Sequence, residues 1–257
     1  MGTLMICAVM MVKNEADIIL STVDHLLGQV DWIIVMDNDS TDGTREMLEG
    51  VEGIELMYDP DPAYRQSEKM SWLAARAADR GATWVVPADA DEIWSHPEMC
   101  IADFLGKIPS DRAIVTARLY DYVATGADDA SESDPVRRLQ WRRRHSAKLR
   151  KVAVRPTLPV TIEQGNHGAH YCHPDATDGL IVRHYPYRSA QQMTAKAMIG
   201  DAALQAAPEL LETSGAHWRQ YAALERANPG AVAEVFEQWF YVEDPGVDAT
   251  LVHDPWR

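Results

Sequence analysis

A chain of 257 residues is long enough for one α/β domain with a large core, and its length alone does not demand two. A formal charge of −15 at pH 7 argues against nucleic acid or an anionic membrane as the main partner. Three widely spread cysteines, Cys7, Cys100 and Cys172, argue against a disulfide framework and suit a reducing cytoplasm. No secretory leader is expected, because the apolar run Leu4 to Val12 is short and Lys13, Asn14 and Glu15 follow where a small-residue cleavage site would stand. No apolar run approaches the length of a membrane span, so a soluble protein without a transmembrane segment is expected.

In chain order, Leu4 to Val12 reads as a strand, and Glu15 to Leu27 carries Ile18, Ile19, Val23, Leu26 and Leu27 at helical spacing. A second strand runs from Trp32 into Asp37, followed by a short helix over Thr44 to Glu49 and a third strand, Ile54 to Tyr58. Ser67 to Arg80 predicts a helix with Trp72, Leu73 and Ala77 inward, leading into the strand that ends at the carboxylates Asp89, Asp91 and Glu92. This alternation predicts a mainly parallel sheet with right-handed crossovers. Beyond residue 112 strands become frequent (Ala113 to Tyr120, Leu149 to Val154, Leu180 to Tyr185), and some antiparallel pairing is expected there. Ala124 to Pro135, acidic and rich in small residues, reads as a mobile loop. Ser189 to about Tyr241 reads as helical, interrupted at Pro208 and at Asn228-Pro229-Gly230.

The chemistry concentrates at strand ends. Val85-Val86-Pro87-Ala88-Asp89-Ala90-Asp91-Glu92 passes from an apolar run to three carboxylates within four residues. A strand delivering Asp-x-Asp to its tip places both side chains on one face, where they repel unless a cation neutralises them. Oxygen ligands of this kind suit Mg²⁺ or Mn²⁺, which commonly also hold phosphate oxygens. The plain alternative is a solvated acidic turn. A companion motif, Met36-Asp37-Asn38-Asp39-Ser40-Thr41-Asp42-Gly43-Thr44, and the end of the first strand, Lys13-Asn14-Glu15, supply two more polar strand tips. Three such tips describe the carboxyl edge of a parallel sheet, where open α/β folds bind ligands.

Taken together, Val12 to Asp17, Asp24-His25, Val30-Asp31-Trp32, Met36 to Thr44 and Asp89-Ala90-Asp91-Glu92 resemble the glycosyltransferase family 2-like group. Gly165-Asn166-His167 and Arg183 to Ser189 resemble its branch near the family 92 enzymes. The resemblance runs from about residue 5 to about residue 200. It implies a GT-A fold, an α/β Rossmann-like mixed sheet, mainly parallel, flanked by helices and ending in a helical C-terminal tail. On that basis residues 1–190 form the nucleotide-sugar-binding and catalytic core, and 191–257 a helical extension packed on the same domain. The implied activity is metal-dependent, inverting transfer of a sugar from a nucleoside-diphosphate sugar, taken as UDP-linked, with Mn²⁺ or Mg²⁺ as cofactor. The acceptor, whether saccharide, lipid-linked or small molecule, is not named by the sequence.

Carried residue by residue, the resemblance implies Asp91 as metal ligand and Asp89 as partner of the ribose hydroxyls or a metal-bound water. The underlying need is general, since a departing nucleoside diphosphate gathers negative charge that a divalent ion stabilises. Glu92 is expected to support the turn or face the acceptor. Asp37 and Asp39 are read as lining the nucleoside pocket beside Asn14 and Glu15. A carboxylate there accepts a uracil N–H, and backbone groups near Val12 meet the ring. Helix capping by Ser40 and Asp42 is the competing reading for that turn. The resemblance also suggests that His184 completes the metal site or touches the diphosphate, with a core histidine satisfied by backbone as the competing reading, and that Arg188 is a phosphate contact before a Ser189-x-x-Gln192 capping box.

For the general base, Glu163, His167, His170, Asp175 and Asp178 are candidates. His167 is preferred because Gly165-Asn166-His167-Gly168 is a tight turn that would present its ring outward. His167, His170, Cys172 and His173 also raise a zinc site, though their spacing lacks the paired pattern of structural zinc. A run of Arg137, Arg138, Arg142, Arg143, Arg144, Lys148, Arg150, Lys151 and Arg155 lacks any acid. It is read either as the phosphate side of the cleft, with Lys148 a substrate contact, or as a solvated face. Two rival functions remain. A nucleotidylyltransferase would show a Gly-rich, Arg-containing loop after the first strand, where Lys13-Asn14-Glu15-Ala16 stands instead. A non-catalytic nucleotide-sugar-binding protein would not need both Asp89 and Asp91.

Overall fold

The computed structural model describes residues 3–156, 160–170, 176–210 and 215–256. The first half alternates as expected. Strand β1 (Ile6–Val12) is followed by helix α1 (Ile19–Leu27), β2 (Trp32–Asp37), α2 (Thr44–Leu48), β3 (Ile54–Tyr58), α3 (Gln66–Asp79) and β4 (Trp84–Pro87). Next come β5 (Glu92–Ser95), α4 (Ile101–Lys107), β6 (Ile114–Thr125), α5 (Pro135–Arg138), β7 (Trp141–Arg143), β8 (Arg150–Val154) and β9 (Thr161–Ile162). A single 3-10 turn, Gln164–Asn166, leads to β10 (Ala169–His170) and β11 (Ala176–His184). The C-terminal part holds α6 (Ala190–Gln205), α7 (Ala216–Ala227), α8 (Ala231–Trp239), β12 (Tyr241–Val242) and β13 (Leu251–His253).

The chain divides into two compact units. The first comprises Met1–Pro60, Arg65–Tyr120 and Ser146–His184; the second comprises Asp61–Tyr64, Asp121–His145 and Tyr185–Arg257. In the first unit β1 pairs in parallel with β2 and β4, and β2 pairs in parallel with β3. β8 joins antiparallel to β4 and to the Ile114–Arg118 part of β6, and β11 joins antiparallel to β5. This is the mixed, mainly parallel Rossmann-like sheet of the GT-A type. Antiparallel pairing falls after residue 112, where strands crowd the sequence.

Strand alternation explains the core. Ile6, Ala8, Met10 and Val12 of β1, with Ile33 and Val35 of β2 and Trp84 and Val86 of β4, pack on one face, against Ile19, Val23 and Leu26 of α1. Cys7, Val9, Ile34 and Val85 point the other way, against Met70, Leu73, Ala74 and Ala77 of α3. A sheet covered on both faces needs strands that are apolar throughout, which is why these strands read as continuous apolar runs. Burial pushes the Cys7 thiol up to about 12, so it behaves as a core residue.

Three details depart from the sequence reading. Trp72 was expected inward with Leu73 and Ala77, but it is 47% exposed, because the buried stripe of α3 runs through Lys69, Met70, Leu73, Ala74 and Ala77. Ala124, assigned to a loop, lies in β6. The loop beyond it is closed locally, Asp128 accepting from the Thr125 amide at 2.9 Å and hydroxyl at 2.7 Å. The third departure, at Asp89 and Asp91, shapes the site.

The second unit carries the three helices of the C-terminal stretch, broken where Pro208 and Asn228-Pro229-Gly230 were expected to break it. Ser189 caps α6 by accepting from the Gln192 amide, while the Gln192 side chain reaches back to the Arg188 amide. Among the described residues no helix is long and apolar enough to cross a membrane.

Candidate active site

The tips of β1 and β2 are laced together. Lys13 Nζ donates to the carbonyls of Asn38 at 2.6 Å and Asp39 at 3.0 Å. The Asn14 amide donates to Ser40 Oγ, its side-chain Oδ1 accepts from the Thr41 amide at 2.7 Å, and the Glu15 amide donates to Thr44 Oγ1. The Val12 carbonyl accepts from the Asn38 amide. Asp42 accepts from Ala16 and Thr44. Burial opposes its charge, but those bonds, led by the Thr44 hydroxyl, hold its carboxyl below the usual range. Lys13 therefore fastens a turn.

The two aspartates of this turn have separate environments. Asp37 is fully buried, and its Oδ2 accepts from the Ser40 amide at 3.2 Å. Asp39 is exposed, sits at φ 59, and accepts from the Tyr58 hydroxyl at 3.0 Å. A left-handed backbone is tolerated by Asp more readily than by most residues. Of the pair, Asp39 is the one that faces solvent.

Asp89 and Asp91 do not share a strand face. β4 stops at Pro87 and β5 begins at Glu92, so Asp89-Ala90-Asp91-Glu92 is a turn closed by the Glu92 amide donating to the Asp89 carbonyl at 3.2 Å. Strand alternation no longer applies, and the two carboxylates take different partners. Asp89 Oδ1 accepts from Gln66 Nε2 and Asn166 Nδ2, each at 2.9 Å, and Oδ2 accepts from Lys151 Nζ at 2.6 Å. The cation the sequence argument required for Asp89 is thus a lysine of the chain itself.

Lys151 reaches further. Its ammonium also lies 2.6 Å from Glu92 Oε1 and donates to the Gly165 carbonyl at 2.7 Å. Glu92, fully buried, accepts from the Asp89 amide and from Trp94 Nε1 through Oε2. Burial opposes the Lys151 charge, yet Asp89 and Glu92 outweigh it and hold the ammonium firmly protonated. Burial, opposed by Lys151, holds the Glu92 carboxyl above its ordinary range. The opposite pulls on one pair reflect one ammonium shared between two carboxylates.

Asp91, 3% exposed, turns toward β11, with His184 Nε2 3.8 Å from its Oδ2. The antiparallel register pairs His184 with Glu92, which is what delivers the imidazole to this turn. A carboxylate beside an imidazole is a donor set that Mn²⁺ accepts, whereas Mg²⁺, which takes oxygen ligands, would rest on the carboxylate. Among the described residues no group of three or more His, Cys, Asp or Glu is arranged to hold a metal, so protein ligands would be Asp91 and His184. Two protein ligands suffice where phosphate oxygens and water complete the shell.

His167 was expected to present its ring outward; instead the ring folds back on its own turn. Its Nδ1 lies 2.9 Å from the Arg150 carbonyl, and a side chain at Gly165 (φ 74) would collide with its Cδ2–Nε2 edge. A carbonyl only accepts, so Nδ1 carries the proton and Nε2 keeps its lone pair. Burial first, then Lys151, lowers its pKa, so the ring is neutral near pH 7.

Lys148 is exposed, and Glu163 lies 3.5 Å from His170. Asp178 is paired with Arg118 and Arg150. Arg188 belongs to the second unit, where it is 2% exposed and donates to the Tyr185 carbonyl. Asp175, and the Cys172 and His173 of the zinc alternative, fall outside the described residues. Arg142, Arg143 and Arg144 bind the C-terminal segment of their own unit, through Asp254, Thr250 and the carbonyls of Ala249 and Leu251. Most of that basic run is thus structural.

A model of the family described as glycosyl transferase family 2 matches residues 7–164. The chain belongs to that family. It is a glycosyltransferase by membership, and the match takes in all three strand tips and Lys151 but stops short of His167 and His184. Among solved structures, S. aureus TarS 1-349 in complex with UDP is similar at 14% identity and TM-score 0.42, over 92% of this chain and 78% of that one. The same protein in complex with UDP-GlcNAc is similar at 12% identity and TM-score 0.40, over 92% and 76%. The 4-diphosphocytidyl-2C-methyl-D-erythritolsynthase from Anaerococcus prevotii DSM 20548 is similar at 15% identity and TM-score 0.32, over 60% and 72%. No curated protein matches the chain.

Sequence reasoning on this glycosyltransferase passed over Gln66, named Asn166 only as part of a motif and turn, and left Lys151 in a basic run read either as the phosphate side of the cleft or as a solvated face. One signal was available. In Arg150-Lys151-Val152-Ala153-Val154, Lys151 shares its strand face with Ala153 in a run apolar on both faces, and a charge on a covered face must find a partner inside.

Proposed function

We propose that this glycosyltransferase moves a sugar, with inversion, from a UDP-linked donor, using Mn²⁺ or Mg²⁺ held by Asp91 and His184. The observation that carries the reading is the placement of His184 beside Asp91 at the carboxyl edge of a family 2 sheet. When bound, the ion supplies Lewis-acid stabilisation of the charge gathering on the departing diphosphate. Exposed Asp39 accepts the N–H of the uracil ring, and Asp89 offers its remaining lone pair to a ribose hydroxyl. Neutral His167, with the proton fixed on Nδ1, takes the acceptor hydroxyl proton at Nε2. Gly165-Asn166-His167 and Arg183 to Ser189 support a place near the family 92 branch.

Calorimetric titration of UDP, GDP and CMP, with and without Mn²⁺, tests this. UDP binding that needs Mn²⁺ and is lost in Asp91→Ala is the expected result. Absence of nucleotide binding under every metal condition would refute it.

A further inference from the structure

Asp89 is already largely occupied by donors of the chain itself. Three donors converge on its carboxylate: two side-chain amides on Oδ1 and the Lys151 ammonium on Oδ2. The donors are themselves buried. Gln66 is 5% exposed, Lys151 3% and Asn166 fully enclosed, so none of them is a solvated group that swings aside at little cost. All three tie back to one turn. Gln66 Oε1 accepts from the Gly165 amide at 2.7 Å, Lys151 donates to the Gly165 carbonyl, and Asn166 is the next residue. Asn166 sits at φ 57, a left-handed conformation that Asn tolerates better than most residues.

We propose that Lys151 is a positioning residue that keeps Asp89 out of the metal site. It fastens Asp89 to the Gly165–Asn166 turn and leaves the divalent cation to Asp91 and His184. The inference rests on the metal reading above and goes beyond it, by naming the residue of this chain that keeps the two carboxylates of one Asp-x-Asp in separate environments. Lys151 is the fixed cation for Asp89 and Glu92, and the exchangeable cation belongs to Asp91. A metal drawn to Asp89 would have to displace a buried ammonium from two carboxylates at once, which its coulombic partners oppose. The same ammonium sets the distance between the Asp-x-Asp turn and the turn bearing His167.

The test is Mn²⁺ affinity, read from the paramagnetic resonance signal of free Mn²⁺, with and without UDP. Lys151→Met/Glu92→Gln removes one positive and one negative charge, so the net charge of the cluster is unchanged while Asp89 loses its ammonium. This double variant is expected to bind Mn²⁺ about threefold or more tightly than wild type, and adding Asp89→Asn should abolish the gain. A merely structural lysine would give no gain. A folded double variant with unchanged or weaker Mn²⁺ affinity overturns the proposal.

Should the double variant fail to fold, as judged by circular dichroism, single variants in the wild-type background decide. Asp91→Asn is expected to lower Mn²⁺ affinity about tenfold or more, and Asp89→Asn by less than about threefold. Equal losses overturn the proposal alone. A wild type that binds no Mn²⁺, with or without UDP, overturns it together with the metal reading.

Discussion

With its ammonium between Asp89 and Glu92, Lys151 cannot be removed without leaving the fully buried Glu92 and the partly buried Asp89 without their cation. Breaking a buried pair by deleting one partner typically costs about 3–5 kcal/mol, so Lys151→Met should lower unfolding stability by that order in urea. Adding Glu92→Gln should recover part of the loss, because one of the stranded charges is gone. Full additivity of the two changes would show that the ion pair is not what holds the turn. Gly165 invites a second test. At φ 74 it accepts an alanine only with strain, and the new methyl group would meet the His167 ring. Gly165→Ala should therefore destabilise the protein by more than about 1 kcal/mol and shift the His167 ring resonances. Unmoved resonances would mean that the ring does not rest on that turn.

At the scale of elements, helix α3 shows how an apolar residue can mislead. Trp72 and Leu73 are neighbours, yet Leu73 is sealed against β1 and β4 while Trp72 lies 47% exposed beside Arg76. Leu73→Ala should cost about 2–5 kcal/mol, the usual range for a buried leucine. Trp72→Ala should fall within about 0.5 kcal/mol of wild type, as for other surface changes. Chemical denaturation of the two variants checks the assignment, and a larger loss at Trp72 would reverse the face. The β4–β5 connection makes a parallel point. Four residues of turn send Asp89 toward the Gly165–Asn166 turn and Asp91 toward β11, where an unbroken strand would have sent them the same way.

Across the whole molecule, partly buried imidazoles set an acid limit. Partial burial lowers the pKa of His25 and His167 in the folded state, with Lys151 adding to the effect at His167. An unfolded chain then binds protons first as the pH falls. The stability these groups contribute is present above about pH 6.5, the ordinary histidine value, and is lost as the pH falls from there through their lowered folded-state values. Glu92 acts in the opposite sense, since its raised pKa favours the folded state below the ordinary glutamate value. A single histidine separates the two. His25 Nε2 donates to the Trp94 carbonyl at 2.5 Å, and His25→Gln keeps a donor that does not titrate. Unfolding midpoints between pH 7.5 and 5.5 should fall less steeply in His25→Gln than in wild type. Identical slopes would remove His25 from the account.

The sequence by itself determined the sheet. Its strands are apolar on both faces because helices cover both, and such runs are visible without coordinates. It also determined that three strand tips carry polar side chains to one edge, and that the C-terminal helices break at Pro208 and Pro229. Tertiary structure decided which of those side chains meet. His184 is 93 positions from Asp91 and arrives only through the antiparallel pairing of β11 with β5. Lys151 reaches Asp89 because β8 lies beside β4, and Gln66 and Asn166 close on the same carboxylate from α3 and from a turn near residue 165. Local spacing records which face a residue takes within its own element. A partner 60 or more residues away leaves no such trace in spacing, so the ammonium that neutralises Asp89 became visible only once the chain was folded.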